Sequence, residues 1–300
     1  YKYVYIQEVS DSRTRRELLE TGEAQIASDL TQEDLTALSE EEELIVVPAD
    51  SFTNIILMLN TKSEPCSNAD FRKALAYAFP YEETVHDVLK DNAAQSRGMV
   101  PTGLWGHSDD LMQYSCNLEK AAEYLEKSGL VNVTVTISYM GSDVAYSKML
   151  QIYKENLTQI GVNLKLLNMD WDAQMALSKS PDRNDCQDIM LMKWWPDYAD
   201  PAGWFTPLLM NSKDSVGYNF CYLDDDVFGE ENREAVRLTA TDKGAAEELY
   251  IQMQEKLLDE CYMIYACNAM QYYVVSNTIS GVYENPAYQT CIYYYDITTR

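Results

Sequence analysis

Short apolar runs alternate with amphipathic stretches along most of this chain. The runs from Tyr3 to Val9, Ala24 to Ser28, Leu44 to Pro48, Ile55 to Leu59, Val133 to Ser138, Val162 to Leu167 and Ile189 to Met192 read as strands. Between them, helical spacing predicts helices over about 12–20, from Thr31 onward, and near 69–78, 82–90, 118–128, 143–160 and 171–178, with two more near 224–238 and 243–262. Thr31 and Asp34 form a capping box. The 92–109 stretch carries Asn92, Gly98, Pro101, Gly103 and Gly106 and reads as loop. Strand-like Tyr272 to Val275 and Cys291 to Tyr295 close the chain. Strands separated by helices imply βα units and at least a partly parallel sheet.

The most informative segment runs from Lys193 to Pro201, KWWPDYADP: two adjacent indoles, a tyrosine and two carboxylates around two prolines, directly after the apolar run Ile189 to Met192. A run stopped by proline reads as a buried strand emptying into a rigid loop, and ligands tend to meet a sheet at such strand-end loops. Stiff aromatic surface beside a fixed carboxylate suits a cation such as the α-ammonium of a peptide. Two core tryptophans with two solvated aspartates fit the same spacing.

This segment resembles the tryptophan, Asp-Tyr, Asp-Pro signature of the family 5 extracellular solute-binding proteins, the oligopeptide and dipeptide receptors of ABC importers. Other landmarks stand in family order: Leu18 to Ala27, with Gln25 for the usual aspartate; Leu59-Asn60-Thr61, then Ala69 to Ala78; Asn117 to Gly129; Gly161-Val162; and Tyr250 to Tyr265. Phe79-Pro80-Tyr81-Glu82 departs from the family's Ile-Asp-Arg-Glu and implies a change in how two helices join. The resemblance implies the type II periplasmic-binding-protein fold, α/β, with two hinged lobes. Residues 1–56 would be a remnant of a first, incomplete lobe, 57–261 the complete second lobe, and 262–300 the return to the first. It also implies a ligand held between lobes, an ABC permease as partner, action as a monomer, and an extracellular or periplasmic location with a lipoprotein anchor in the precursor. The position matching the family's ammonium anchor is Asp197, and Trp194 matches an indole lining the ligand site. Trp195 and Tyr198 are flanking candidates, each equally at home in a core. The loop containing Tyr139, Met140 and Gly141 faces the ligand in relatives. Some dipeptide-selective relatives carry a carboxylate-binding arginine there; here no basic residue lies between Asn132 and Ser147, which points to longer peptides. Asp200, before Pro201, is expected to fix the loop by accepting backbone N–H groups.

Composition narrows the alternatives. With 23 basic and 48 acidic residues the formal charge is −25, which repels nucleic acid and anionic lipid. No run approaches the length of a membrane span. Seven cysteines form no Cys-x-x-Cys pair and leave at least one unpaired within the chain; small buried hydrophobes are the simplest reading, in a reducing or anaerobic habitat. The only histidines, His86 and His107, lack a second ligand at helical spacing, so no metal or other cofactor is expected. Asp182-x-Asn184 opens like a calcium loop, but Gln187 and Lys193 occupy the places of its glycine and glutamate. There is no Gly-x-Ser-x-Gly, Walker or dinucleotide motif, and Asp197 and Asp200 are too close along one loop to face each other across a substrate, so a binding protein is expected and not an enzyme. Within the same fold, oligosaccharide, nickel-chelate and opine binding stay open, as does a sensing receptor uncoupled from transport.

Overall fold

The computed structural model describes residues 1–211, 217–224, 226–283, 285–287 and 292–300. The chain divides into two compact units, Tyr1–Thr53 with Ala269–Arg300, and Asn54–Asn268.

In the smaller unit, helices α1 (Ser12–Glu20) and α2 (Gln32–Leu38) flank strand β1 (Ile26–Ser28). Asp11 caps α1 through Thr14 N, and Thr31 caps α2 through Asp34 N at 3.1 Å. The capping box is closed differently from its usual form. Asp34 accepts the hydroxyls of Thr31 and Ser12, and the Thr31 N–H turns to Ser12 Oγ. Leu19, Leu35, Leu38 and Val274 build the core of this unit. The apolar run from Tyr3 to Val9 forms no strand: it pairs with no strand among the described residues, and Tyr3, Tyr5 and Ile6 are exposed. At the other end a hairpin of β8 (Ile279–Ser280) and β9 (Thr298–Thr299) follows, and Tyr294–Asp296 is a 3₁₀ turn where a strand was expected. Cys291 lies outside the described residues.

Two strands run through both units. β2 (Leu44–Leu59) joins into one element the two separate strands predicted there, and β7 (Met263–Ser276) begins well before Tyr272. In the larger unit β2 pairs antiparallel with β6 (Ile189–Trp194), and β4 (Thr134–Tyr139) lies parallel to both β6 and β5 (Asn163–Asn168). Helices α3 (Ala69–Ala78), α5 (Leu118–Ser128), α6 (Val144–Gln159), α7 (Trp171–Leu177) and α10 (Lys243–Asp259) fall where the periodicity puts them. The helix predicted near 82–90 is instead one turn, α4 (Tyr81–Glu83), running into a π turn over Thr84–Val88. Short β3 (Ala93–Ala94) interrupts the long loop, α9 (Gly229–Thr239) starts later than predicted, and α8 (Ala202–Leu209) was not foreseen. Buried Arg72 ties α3 to the end of α10, its guanidinium donating to the carbonyls of Cys66, Ser67, Glu260 and Cys261. Among the described residues no helix is long and apolar enough to cross a membrane.

Candidate functional site

Because β4, β5 and β6 are parallel and in register, their carboxyl ends share one edge of the larger unit. Tyr139 pairs with Asn168, and Ser138 with Met190, four residues before Trp194. Open α/β sheets bind ligands outside such an edge. The loops that follow, 140–143, 169–170 and 195–201, contain every predicted site residue apart from Trp194 and Tyr139, which end their strands.

The Trp194 indole is fixed by a backbone device. Pro207, inside α8, has no N–H to give to the carbonyl four residues back, at Gly203. That free carbonyl accepts Trp194 Nε1–H at 2.9 Å, so the proline that would weaken the helix supplies the acceptor that orients the indole. Its ring packs against Tyr218 with centroids 5.1 Å apart. Trp195 and Tyr198 are exposed, at 45% and 51%. Between them Asp197 is exposed as well, and makes no hydrogen bond or ion pair among the described residues. Burial first, then the charges of Asp200 and Asp197, hold the Tyr198 hydroxyl's pKa above the ordinary phenol value.

Asp200 does what its place before Pro201 suggested. Its Oδ1 accepts Ala202 N–H at 2.9 Å while its carbonyl accepts Gly203 N–H, so the carboxylate braces the turn that leads into α8. Burial pushes its pKa up, opposed by the Ala202 N–H and by Lys243.

In the loop after β4, Tyr139 is buried and its carbonyl accepts Met169 N–H at 3.0 Å. Met140 is exposed; Gly141 donates to Asn168 Oδ1 at 3.0 Å, and a side chain at Gly141 would collide with that asparagine. The absence of a basic residue between Asn132 and Ser147 does not leave this loop without a cation. Lys193, from β6, brings its ammonium to 3.8 Å from Asp143 Oδ2, and it makes no hydrogen bond among the described residues.

Two residues that sequence reasoning missed join the site: Tyr218, and Trp171 at the start of α7, whose ring lies 6.4 Å from that of Tyr218. Each stands more than twenty positions from Trp194, so no local pattern connects them. Among the described residues no cluster of His, Cys, Asp or Glu suits a metal ion. His86 pairs with Asp91, His107 Nδ1 faces the Val100 carbonyl at 2.9 Å, and Asp182 Oδ1 accepts Asn184 N–H in a local turn.

The candidate residues thus gather at the carboxyl edge of the parallel strands of a mixed α/β sheet. Residues 1–215 match the family described as bacterial extracellular solute-binding proteins, family 5. The chain belongs to that family, whose members are binding receptors and not enzymes. It is 26% identical over 286 residues to the probable D,D-dipeptide-binding periplasmic protein DdpA of Escherichia coli, covering 95% of this chain and 54% of that protein. Among solved structures it is similar to the periplasmic binding protein DppA of Helicobacter pylori in complex with the peptide STSA (TM-score 0.85, 19% identity, 97% of this chain and 56% of that one). It is also similar to a dipeptide-binding protein of Pseudoalteromonas sp. SM9913 in complex with Met-Leu (TM-score 0.84, 20% identity, 97% and 57%). The fold is thus that of the periplasmic binding proteins, and the chain spans about half the length of the relatives it matches.

Proposed function

We propose that this chain belongs to an extracellular receptor that captures peptides for an ABC permease, with Asp197 anchoring the ligand's α-ammonium. The observation that carries the reading is Asp197 itself: an exposed carboxylate without a partner among the described residues, at the carboxyl edge of three parallel strands, flanked by Trp195 and Tyr198. A charge-assisted hydrogen bond there is worth roughly 1.5–3 kcal/mol. The relatives support the class of ligand, since the named complexes hold the peptides STSA and Met-Leu. Met140 and Gly141 would offer backbone groups to an extended ligand in strand fashion, a mode that tolerates many sequences. The protein acts as a monomeric receptor with no catalytic step.

Calorimetric titration of the natural full-length protein with short peptides, beside Asp197→Asn, tests this. A drop of about tenfold or more in affinity for the variant, about 1.4 kcal/mol, is expected. Equal affinity for both forms, or for N-acetylated and free peptides, removes the anchor from Asp197. Absence of any heat from folded protein removes peptides as the ligand.

A further inference from the structure

We propose that Trp194, Tyr218 and Trp171 form a single side-chain subsite that takes an aromatic residue of the ligand, with Gln174 as its polar floor. The proposal rests on the peptide reading above and adds to it which side chain the receptor prefers.

Paired residues of parallel strands point to the same side of a sheet, and alternate residues of one strand share a face. Ser138 pairs with Met190, so Ser138, Met190, Met192 and Trp194 share one face. Trp171 and Gln174, three apart on α7, lie on one side of that helix. Ser178 connects the two sets: its hydroxyl donates to the Gln174 carbonyl at 2.8 Å and lies 3.7 Å from Met190 Sδ, and it accepts Gln187 Nε2–H at 2.5 Å. The aromatic row Trp194–Tyr218–Trp171 therefore stands on the same face as a group of buried polar side chains.

The Trp194 ring, and the backbone that carries Trp171 and Tyr218, are tied by hydrogen bonds before any ligand arrives. Trp194 is tied to Gly203. Trp171 opens a helix capped by Asp170, which accepts Ala173 N–H at 2.8 Å. Tyr218 precedes Asn219, whose buried amide bonds the carbonyls of Leu209 and Leu223 and accepts Leu223 N–H. Yet Tyr218 remains 40% exposed and both indoles are only partly covered. Rings 5.1 and 6.4 Å apart, at interplanar angles of 59° and 27°, give a fixed aromatic surface on which a further ring can stack or pack edge-on.

The floor says what the tip of that ring should be. Gln174 is fully buried, and neither its amide nitrogen nor its oxygen has a hydrogen-bond partner among the described residues. Ser138 Oγ and Gln187 Oε1 share that condition. Buried polar groups are rarely left unmet, so donors and acceptors gathered here mark a place where a partner arrives. A phenylalanine satisfies the aromatic row alone; a tyrosine satisfies the row and brings a hydroxyl that both donates and accepts towards Gln174.

The test is a calorimetric series on the full-length protein with trialanine and with tripeptides carrying one Phe or one Tyr at each position in turn. It is repeated with Tyr218→Ala, Trp171→Ala and Gln174→Leu. At one position, affinity is expected to rise from Ala to Phe by about tenfold and further to Tyr. Read as the affinity ratio to trialanine within each variant, Tyr218→Ala should erase both gains, and Gln174→Leu should erase only the gain of Tyr over Phe. Trp171→Ala gives the same reading as Tyr218→Ala should the latter fail to fold. A flat series overturns the subsite and leaves the peptide reading standing, as does a preference that survives the ring variants. Phe equal to Tyr in the unaltered protein overturns the role of Gln174. No binding of any tripeptide to folded protein overturns subsite and peptide reading together.

Discussion

Gly106 lies directly against Pro201, so that a methyl group on Gly106 would stand 2.9 Å from the proline Cγ. The glycine also holds φ at +83°, a conformation side chains disfavour, while its N–H donates to Glu247 and its carbonyl accepts Gln254 Nε2–H at 2.9 Å. The long loop and α10 thereby press on the segment that carries Asp197. Gly106→Ala is expected to destabilise by more than about 1 kcal/mol in urea unfolding and to weaken ligand binding through the displaced loop. Unchanged stability and affinity would show that Pro201 has room to move.

Pro207→Ala restores an N–H that competes for the Gly203 carbonyl. Helix α8 gains a hydrogen bond while Trp194 loses its acceptor. Equal or higher thermal stability together with weaker ligand binding is the expected pairing. Binding that is unaffected would mean that ring packing on Tyr218 alone orients the indole.

Asp200→Asn and Asp200→Ala separate charge from capping. The folded state holds the Asp200 proton more tightly than the unfolded chain, whose carboxyl has its usual value of 3.8. This carboxyl therefore favours folding most below that value and contributes less as pH rises through the folded one. Asn keeps the oxygen that receives Ala202 N–H and removes a half-buried charge, so stability at pH 7 should be unchanged or slightly higher. Ala loses the acceptor and should cost about 1 kcal/mol. Equal urea midpoints for Asn and Ala would contradict the capping role.

Arg72→Met should be among the most damaging single changes. The carbonyls of Cys66, Ser67, Glu260 and Cys261 would lose their donor within the core, and the guanidinium would leave its place 5.0 Å over the Tyr262 ring. A loss of about 3 kcal/mol or more is expected, and lysine should rescue little because it cannot reproduce the planar fork. Chemical denaturation of the three forms checks this.

The thiols give a pH and labelling prediction. Burial pushes Cys221, Cys261 and Cys267 up to about 12 from a usual 9.0, and Cys66 higher still. The folded state retains protons that the unfolded chain releases, so stability is complete below about pH 9 and falls as pH rises towards 12, by up to about 1.4 kcal/mol per thiol per pH unit. At pH 8 a thiol reagent should modify partly exposed Cys116 first among the six described cysteines, the other five only after unfolding. Mass spectrometry of labelled peptides decides; early labelling of Cys261 would mean local opening around Arg72.

What the sequence made legible was local. Asp143 and Asp170 stand where helices begin, Ile189 to Met192 is a strand, and Asp200 fixes its loop, because caps, short apolar runs and X-Pro turns act within a few residues. Helix α8 is hidden because Trp204, Phe205, Leu208 and Leu209 are all buried and leave little polar face to set a period, and a proline at 207 interrupts the helical pattern. The run from Tyr3 to Val9 shows the converse: a short apolar run suits a strand, but pairing makes one. Site partnerships such as Lys193 with Asp143 and Trp194 with Tyr218 depend on strand order and parallel register, which no window along the chain contains.

Asn54 and Asn268, the first and last residues of the larger unit, share a hydrogen bond at 3.1 Å, and the Asn54 carbonyl oxygen of the side chain also receives Trp204 Nε1–H at 2.6 Å. During synthesis the stretch after Asn268 that joins the smaller unit emerges only once the continuous larger unit has been made. Once folded, the larger unit delivers both of its ends to one point. The entropy of closing a loop of about 215 residues, on the order of 5 kcal/mol, is then already met by the folding of the inserted unit. Two distant stretches of chain can therefore meet as if they were joined by a short turn.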